Sequence, residues 1–356
     1  MTLERPNSIA EELLARLSNS PDAYVQKFDL ARETALLIQF DANAYRSANF
    51  LDDRILGAAT KGGWLALGRV VEAARNIDDK RPLHFIFHTG HVGSTLVSRL
   101  LDETGVVLSL REPLPLRLLA EAHDGLVTVQ SLVSERQFDE LLDAFLRLWS
   151  RAYAADRCVI VKATSSAGRL APAVLAKRPS ARALYFNLRA EPYLATLLAG
   201  ANSPADLRGH AAERSRRLQQ LGLANVEPLH RLSLGELAAL SWLAESWSCH
   251  KALAQFGTRI LAVDFDAFLA DVGGGVRAVL GHFDLPQEPQ FLANIAASPV
   301  LTRYAKAPEH AYTPALRAEI LSDSRVRNGE EIRKGLAWLE NAARENPQVA
   351  VVLKAA

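Results

Sequence analysis

A short polar turn in the first third of the chain carries residues that could bind an anion. Residues 89–95, TGHVGST, follow an alternating apolar segment at residues 84–88 and precede leucines at helical spacing. Gly90 and Gly93 let the backbone come close to a bound group, and the first free N–H groups of a helix beginning near Thr95 can point at it. The helix dipole adds positive potential there, so the segment predicts a cradle for a phosphate or sulfate group.

The turn departs from the phosphate loop of nucleoside triphosphatases, GxxxxGK followed by Ser or Thr. His88 stands in place of the first glycine and Ser94 in place of the lysine. A general ATPase is therefore disfavoured.

The same turn resembles the first phosphate-binding segment of the sulfotransferases that use 3′-phosphoadenosine 5′-phosphosulfate (PAPS). That segment runs from an apolar strand into Pro-Arg/Lys-Ser-Gly-Thr-Thr and Leu, and Gly93, Ser94 and Thr95 take the Gly-Thr-Thr places. His91 stands where the family has a lysine or arginine that faces the bridging oxygen of the donor. Histidine can donate a hydrogen bond there, but it is fully charged only below its ordinary pKa of ~6.5.

Glu112 follows the second apolar segment, nineteen positions after Gly93. Pro113 makes continuation of a strand improbable, so a carboxylate is displayed in a turn facing the cradle. The turn resembles the one in carbohydrate sulfotransferases whose glutamate removes the proton of the acceptor hydroxyl. The alternative is that Arg111 and Glu112 only cap or pair at the start of the next helix.

Lys162 and Arg189 end the third and fourth apolar segments. A lysine that finishes an apolar strand is costly to bury unpaired, so Lys162 is expected near an anion, or else in a structural pair with Glu112. Arg189 resembles the family's arginine that holds the 3′-phosphate with its planar fork. The serine that the family has eight residues later is Leu197 here, and Thr196 offers the nearest hydroxyl.

Several other charged residues have a structural interpretation beside a functional one. Asp264 and Asp266 could suggest a metal pair, but their spacing favours the end of a strand and a helix N-cap. No metal site is predicted anywhere in the chain. Arg303 and Lys306 are competing anion ligands, whereas Arg333-Lys334-Gly335 is expected on a solvated helix face. The stretch with Arg208, Arg214, Arg216 and Arg217 is also expected to be solvated, with attraction of an acidic acceptor as the alternative.

Five apolar segments alternate with helical patterns, which is typical of a parallel sheet covered by helices. We place the strands at residues 84–88, 106–110, 158–163, 183–188 and 259–265. The predicted fold class is α/β, a three-layer α/β/α arrangement with a mainly parallel central sheet, and the resemblance implies that it is P-loop NTPase-like. Residues 1–80 are interpreted as an N-terminal accessory region, and residues 81–356 as the sulfotransferase-like domain with a helical C-terminal part.

Composition limits the classes of partner. The 356 residues carry 41 Lys and Arg against 40 Asp and Glu, which gives no overall field for nucleic acid or an anionic membrane. Two cysteines without metal spacing, Cys158 and Cys249, are expected to be buried free thiols. We find no signal peptide and no apolar run that could span a bilayer, so a cytoplasmic protein is expected.

The resemblance implies transfer of a sulfuryl group from PAPS to a hydroxyl or amine of a small-molecule or carbohydrate acceptor, without a metal. Glu112 would be the base, while His91, Lys162, Ser94 and Thr95 would stabilise developing negative charge. The donor would be held by Gly90, Gly93, Ser94, Thr95, Arg189 and Thr196. Two alternatives stay open: a noncatalytic nucleotide- or anion-binding protein, and a small-molecule kinase. The acceptor and the oligomeric state are not predicted.

Overall fold

The N-terminal region forms a small antiparallel sheet with three helices. In the computed structural model, which describes residues 8–78, 81–223, 227–303 and 313–355, these elements are α1 (Ser8–Ala15), β1 (Ala23–Asp29), β2 (Thr34–Gln39), α2 (Ala42–Ser47), β3 (Gly62–Ala66) and α3 (Leu67–Arg75). The sheet order is β1-β2-β3. Helical patterns at residues 9–17 and 65–74 and a possible strand at residues 35–40 predict helices near α1 and α3 and the strand β2, but β1 and β3 are not predicted. β3 runs directly into α3, so its last residues share the helical spacing of the segment that follows.

The central sheet contains five parallel strands, as the alternating pattern predicted. They are β4 (Leu83–His88), β5 (Val107–Arg111), β6 (Cys158–Lys162), β7 (Ala183–Asn187) and β8 (Ile260–Asp264), in the spatial order β5-β6-β4-β7-β8. β4 is followed in sequence by β5, but β6 lies between them in space. The carboxyl ends of β4, β5 and β6 are therefore neighbours at one edge of the sheet, where parallel sheets bind ligands.

Thirteen further α-helices are described outside the N-terminal region. They are α4 (Ser94–Asp102), α5 (Leu114–Gly125), α6 (Glu135–Trp149), α7 (Ala171–Lys177), α8 (Ala190–Ala199), α9 (Ser203–Gln220), α10 (Leu234–Phe256), α11 (Phe265–Ala270), α12 (Val272–His282), α13 (Pro289–Ala296), α14 (Pro314–Arg327), α15 (Gly329–Glu345) and α16 (Pro347–Ala355). α6 and α10 begin with capping boxes at Ser134 and Ser233, which satisfy free N–H groups of the first turn. No helix in the described ranges is both long enough and apolar enough to cross a bilayer.

Buried apolar residues form two clusters, one on each face of the central sheet. Phe85 and Phe87 of β4 pack with α5, α6, α7 and the N-terminal sheet, whereas Ile86 packs with α4, α8, α9 and α12. Alternate residues of a strand point to opposite faces, so β4 contributes to both clusters. The chain therefore has the three-layer α/β/α fold, and a glycine-bearing turn joins β4 to α4 as in P-loop proteins.

The N-terminal region is fastened to the end of β5 by a buried arginine. The Arg111 guanidinium donates to the carbonyls of Tyr45, Arg46 and Ala48 and pairs with Asp102. On either side of Glu112, the N–H of Leu51 donates to Arg111 O and the N–H of Leu114 donates to Leu51 O. The N-terminal region thus fixes both ends of the turn that presents Glu112.

Candidate active site

The turn between β4 and α4 adopts a backbone that requires glycine. Gly90 and Gly93 have φ of 102° and 69°, and Gly93 is the left-handed residue preceding α4. A Cβ on Gly93 would lie 1.9 Å from Cε2 of Phe265. His91 also has a positive φ, 54°, which a non-glycine residue adopts at a cost. Both glycines are therefore explained by backbone angle, and Gly93 also by the close approach of Phe265.

The first turn of α4 presents hydrogen-bond donors to a cavity of about 110 Å³. The first amides of an α-helix have no acceptor within the helix, and those of Ser94 and Thr95 lie at this end of α4. The Thr95 hydroxyl is buried, with the residue 2% exposed, and has no hydrogen-bond partner among the described residues. Buried polar atoms are rarely left unsatisfied, so an acceptor from a ligand fits this position. Ser94, Thr95, Thr196 and Arg303 line the cavity.

Glu112 and Lys162 form a buried ion pair at the ends of neighbouring strands. Lys162 is 0% exposed and its ammonium donates to the Glu112 carboxylate, whose side chain is 15% exposed. The Glu112 N–H also donates to Lys162 O, at 2.6 Å. Glu112 has a φ of 52°, so it and His91 both occupy the strained left-handed region. The pair with Glu112 agrees with the structural interpretation of Lys162, whereas its proximity to a bound anion stays a prediction.

A second cavity, of about 170 Å³, opens in front of the Glu112 carboxylate. Its lining includes Glu112, His88, His91 and Arg214. The ring of His88 accepts a hydrogen bond from Gly90 N–H through Nδ1, so its Nε2, 2.9 Å from Ala163 O, carries a proton and donates. This ties the start of the turn to the end of β6. His91 lines both cavities and therefore lies between the helix terminus and Glu112.

The structure brings together most of the predicted site residues, but not all of them. Glu112, Lys162, His91, Gly90, Gly93, Ser94 and Thr95 lie around the two cavities, Lys162 through its contact with Glu112. Thr196 lines the first cavity, although its hydroxyl donates to Pro192 O. Arg189 is the exposed residue preceding α8 and is not among the lining residues of either cavity in the described part of the chain. Its role as a phosphate ligand stays a prediction.

Sequence reasoning missed residues that reach the site from distant elements. Phe265 is the last residue of the strand predicted at residues 259–265, yet it packs against Gly93 and lines the first cavity. Tyr193 donates from its hydroxyl to Thr89 O and lies 3.0 Å from Ser241 Oγ, and burial raises its pKa to about 12. The signal that could have identified Phe265 is its position between Asp264 and Asp266, at the end of the last strand. Nothing in the sequence singled out Tyr193 or Ser241.

The basic stretch of α9 is not a fully solvated face as expected. Arg208 and Arg216 are exposed, but Arg214 and Arg217 are buried. Arg217 is held by Glu245 at 3.1 Å and Glu213 at 3.2 Å. The helix packs between α10 and the second cavity, so two of its four arginines point inward. The correction makes Arg214 a lining residue of that cavity.

The remaining charged candidates have structural partners or lie outside the described residues. Asp264 caps α11 through the N–H of Ala267, as the spacing predicted, and Asp266 pairs with Arg317 at 2.6 Å. Within the described residues no group of three or more His, Cys, Asp or Glu side chains could hold a metal ion. Arg333 and Lys334 are exposed on α15, where Lys334 pairs with Glu330 and Glu331. Gly335 is buried against Gly235, so the expected solvated face does not include it. Arg303 lines the first cavity, whereas its competitor Lys306 lies outside the described residues. Both cysteines are buried free thiols.

Comparison with known proteins gives a likeness of fold alone. No protein-family model matches the chain, and no curated protein matches it. Among solved structures, it is similar to the sulfotransferase domain from the curacin biosynthetic pathway (12% identity, TM-score 0.42, 70% of this chain and 98% of that one). It is also similar to sulfotransferase STF9 from Mycobacterium avium (13%, 0.39, 92% and 98%) and to a sulfotransferase from Alicyclobacillus acidocaldarius (16%, 0.38, 72% and 98%). These similarities are distant, and the three-layer α/β/α fold of the chain rests on its own sheet and helices.

Proposed function

We propose that this protein transfers a sulfuryl group from PAPS to a hydroxyl or amine. The observation that carries the proposal is the placement of His91, which lines both the cavity at the N-terminus of α4 and the cavity that contains Glu112. One cavity offers donors for an anion and the other offers a carboxylate that can accept a proton. A group passed from an anionic donor to a neutral acceptor would travel between them.

The first cavity fits the anionic part of such a donor. The free amides of Ser94 and Thr95 and the unsatisfied Thr95 hydroxyl would hold phosphate or sulfate oxygens, aided by the helix dipole. Arg303 and Thr196 line the same cavity and are the side chains there that could hold a second phosphate. Arg303 therefore competes with Arg189 for the 3′-phosphate.

PAPS, when bound, supplies an activated sulfuryl group: the acceptor oxygen or nitrogen gains a bond to sulfur, the bond from sulfur to the phosphate oxygen breaks, and adenosine 3′,5′-bisphosphate leaves. Glu112 would take the proton that the acceptor loses. The ammonium of Lys162, fixed beside that carboxylate, and the His91 ring would stabilise negative charge between the cavities. The strained backbones of Glu112 and His91 fit this interpretation, because strain concentrates at functional sites.

Charge placement favours sulfuryl over magnesium-dependent phosphoryl transfer. A kinase needs a carboxylate for Mg²⁺ beside the phosphate loop. Here β6, one of the two strands that pair with β4, ends in the cation Lys162, and the Glu112 carboxylate forms an ion pair with that cation. Ser94 also occupies the place of the phosphate-loop lysine.

Calorimetric titration with adenosine 3′,5′-bisphosphate, beside ATP with magnesium, tests the proposal. We expect the bisphosphate to bind more tightly, and Thr95→Val to weaken it by about tenfold, since one hydrogen bond to a charged group is lost. Ser98→Ala is the matched control, because Ser98 also carries a buried hydroxyl without a hydrogen-bond partner in the described ranges but does not line the first cavity. Tighter binding of ATP, or no bisphosphate binding, would sink the proposal.

A further inference from the structure

We propose that the second cavity selects an acceptor that carries a carboxylate group, and that Arg214 binds it. The inference rests on the proposed function, because it names the class of acceptor for the Glu112 site. It starts from the position of one guanidinium. Arg214 is 8% exposed on α9 and lines the same cavity as Glu112.

Within the part of the chain that the structure describes, the Arg214 guanidinium has one long ion pair and no carboxylate within hydrogen-bonding distance. Its Nη1 atom is buried without a hydrogen-bond partner, and its Nη2 atom lies 3.7 Å from Asp206 Oδ2, which is beyond hydrogen-bonding distance. An arginine stays charged in proteins, and a charge withdrawn from water is costly unless it is paired. A bound anion would satisfy this requirement.

Two neighbouring arginines with a structural role have close carboxylate partners. Arg217 contacts Glu245 at 3.1 Å, Glu213 at 3.2 Å and the Ser248 hydroxyl at 3.0 Å. Arg169 contacts Asp124 at 2.7 Å and reaches the same Glu213 at 3.4 Å. Glu213 also lines the cavity, but its charge is shared by these two cations. Arg214 is thus set apart from its neighbours by its incomplete pairing.

A carboxylate fits this position better than a phosphate or sulfate group. The planar guanidinium offers two parallel N–H donors, which match the two oxygens of a carboxylate. The lining includes Asp206 and Glu213 beside Glu112, so a dianion would face three carboxylates and a single buried arginine. Arg117, the other lining arginine, is 46% exposed and lies 3.7 Å from Glu121. One negative charge is therefore the better match to the single buried cation.

The acceptor would span the cavity from Arg214 to Glu112. With its carboxylate on Arg214, its hydroxyl or amine would be presented to the Glu112 carboxylate, which lines the same cavity. The hydroxyls of Tyr193 and Ser241, which lie in the same lining, would contact the acceptor between these ends. A cavity of about 170 Å³ admits a compound with one small ring.

Binding of small carboxylates and their amides to the full chain tests the inference. The probes are benzoate and 4-hydroxyphenylacetate, each paired with its neutral amide, and inorganic phosphate, all added to protein saturated with adenosine 3′,5′-bisphosphate and to protein without it. We expect each carboxylate to bind at least about tenfold more tightly than its amide, and Arg214→Gln to remove the preference. Arg216→Gln, on the exposed face of the same helix, should leave the preference unchanged.

The outcomes separate this inference from the proposed function. Equal affinity of carboxylates and amides for the wild-type protein, tighter binding of phosphate, or loss of the preference in Arg216→Gln would overturn the inference, even where the bisphosphate binds normally. Absence of bisphosphate binding, with the carboxylate preference retained, would overturn the proposed sulfuryl transfer and leave Arg214 as the anion ligand. Because the comparison of acid with amide uses the wild-type protein, a variant that fails to fold does not remove the test.

Discussion

Replacing Glu112 by glutamine should destabilise the protein as well as remove the proposed base. Glutamine keeps the volume and one oxygen of the side chain, but it leaves the fully buried Lys162 ammonium without its carboxylate. Breaking a buried ion pair by removing one partner costs about 3–5 kcal/mol. We expect about 3 kcal/mol for Glu112→Gln, because glutamine can still accept a hydrogen bond. Lys162→Met should cost less, since the Glu112 side chain is 15% exposed and water can solvate it.

Urea unfolding of the two single variants and the double variant, followed at pH 7 and 25 °C, measures these free energies. The double variant should be more stable than the sum of the single effects predicts, by about 2 kcal/mol or more. Glu191→Gln is the control, since its pair with Arg325 is exposed and should contribute less than about 1 kcal/mol. A Glu112→Gln effect as small as the control, or additive effects in the double variant, would refute the reasoning.

Three further predictions concern residues that hold the site or the core. Gly93→Ala should destabilise the protein by more than Gly105→Ala, because both residues have φ of 69° but only a Cβ on Gly93 would collide with Phe265. In urea unfolding, the Gly105 variant should lose only the cost of a left-handed backbone at a non-glycine residue, about 1–2 kcal/mol. Arg111→Met should release the carbonyls of Tyr45, Arg46 and Ala48, so that hydrogen exchange accelerates at Leu51 and around Glu112; unchanged exchange there would contradict the role given to Arg111. Burial lowers the pKa of His84 to about 4, so the folded protein does not take up the proton that the unfolded chain binds near pH 6.5. The free energy of unfolding should therefore fall by up to ~3 kcal/mol as pH drops from about 6.5 to 4. Unfolding measured across this pH range should show a smaller loss for His84→Gln.

The central sheet could be predicted from the sequence because four of its five strands, β4 to β7, are buried on both faces. β4, β5 and β6 are apolar runs that end in polar residues, and a parallel sheet gathers such ends at one edge. The N-terminal strands β1 and β3 could not be identified in the same way. β3 is short and continues into α3, so its residues follow the spacing of a helix.

The candidate site was predicted where one chain segment carries the geometry. The glycines of the turn permit a positive φ and the proline after Glu112 fixes the backbone, and both effects are local, so Gly93 and Glu112 were found. Tyr193, Phe265 and Arg214 reach the same cavities from α8, α11 and α9, and their approach depends on how helices pack. The arginines of α9 were interpreted as a solvated face because nothing in the local sequence indicates that α10 and the second cavity cover part of this helix.

The central claim is that an anionic donor binds at the N-terminus of α4, on the opposite side of His91 from Glu112. The most direct measurement is a crystal structure of the protein with adenosine 3′,5′-bisphosphate. We predict a phosphate within hydrogen-bonding distance of the Ser94 and Thr95 amides and of the Thr95 hydroxyl, with Arg303 or Arg189 on the other phosphate. A bisphosphate bound elsewhere, or one that occupies the Glu112 cavity and leaves the α4 terminus to solvent, would contradict the account.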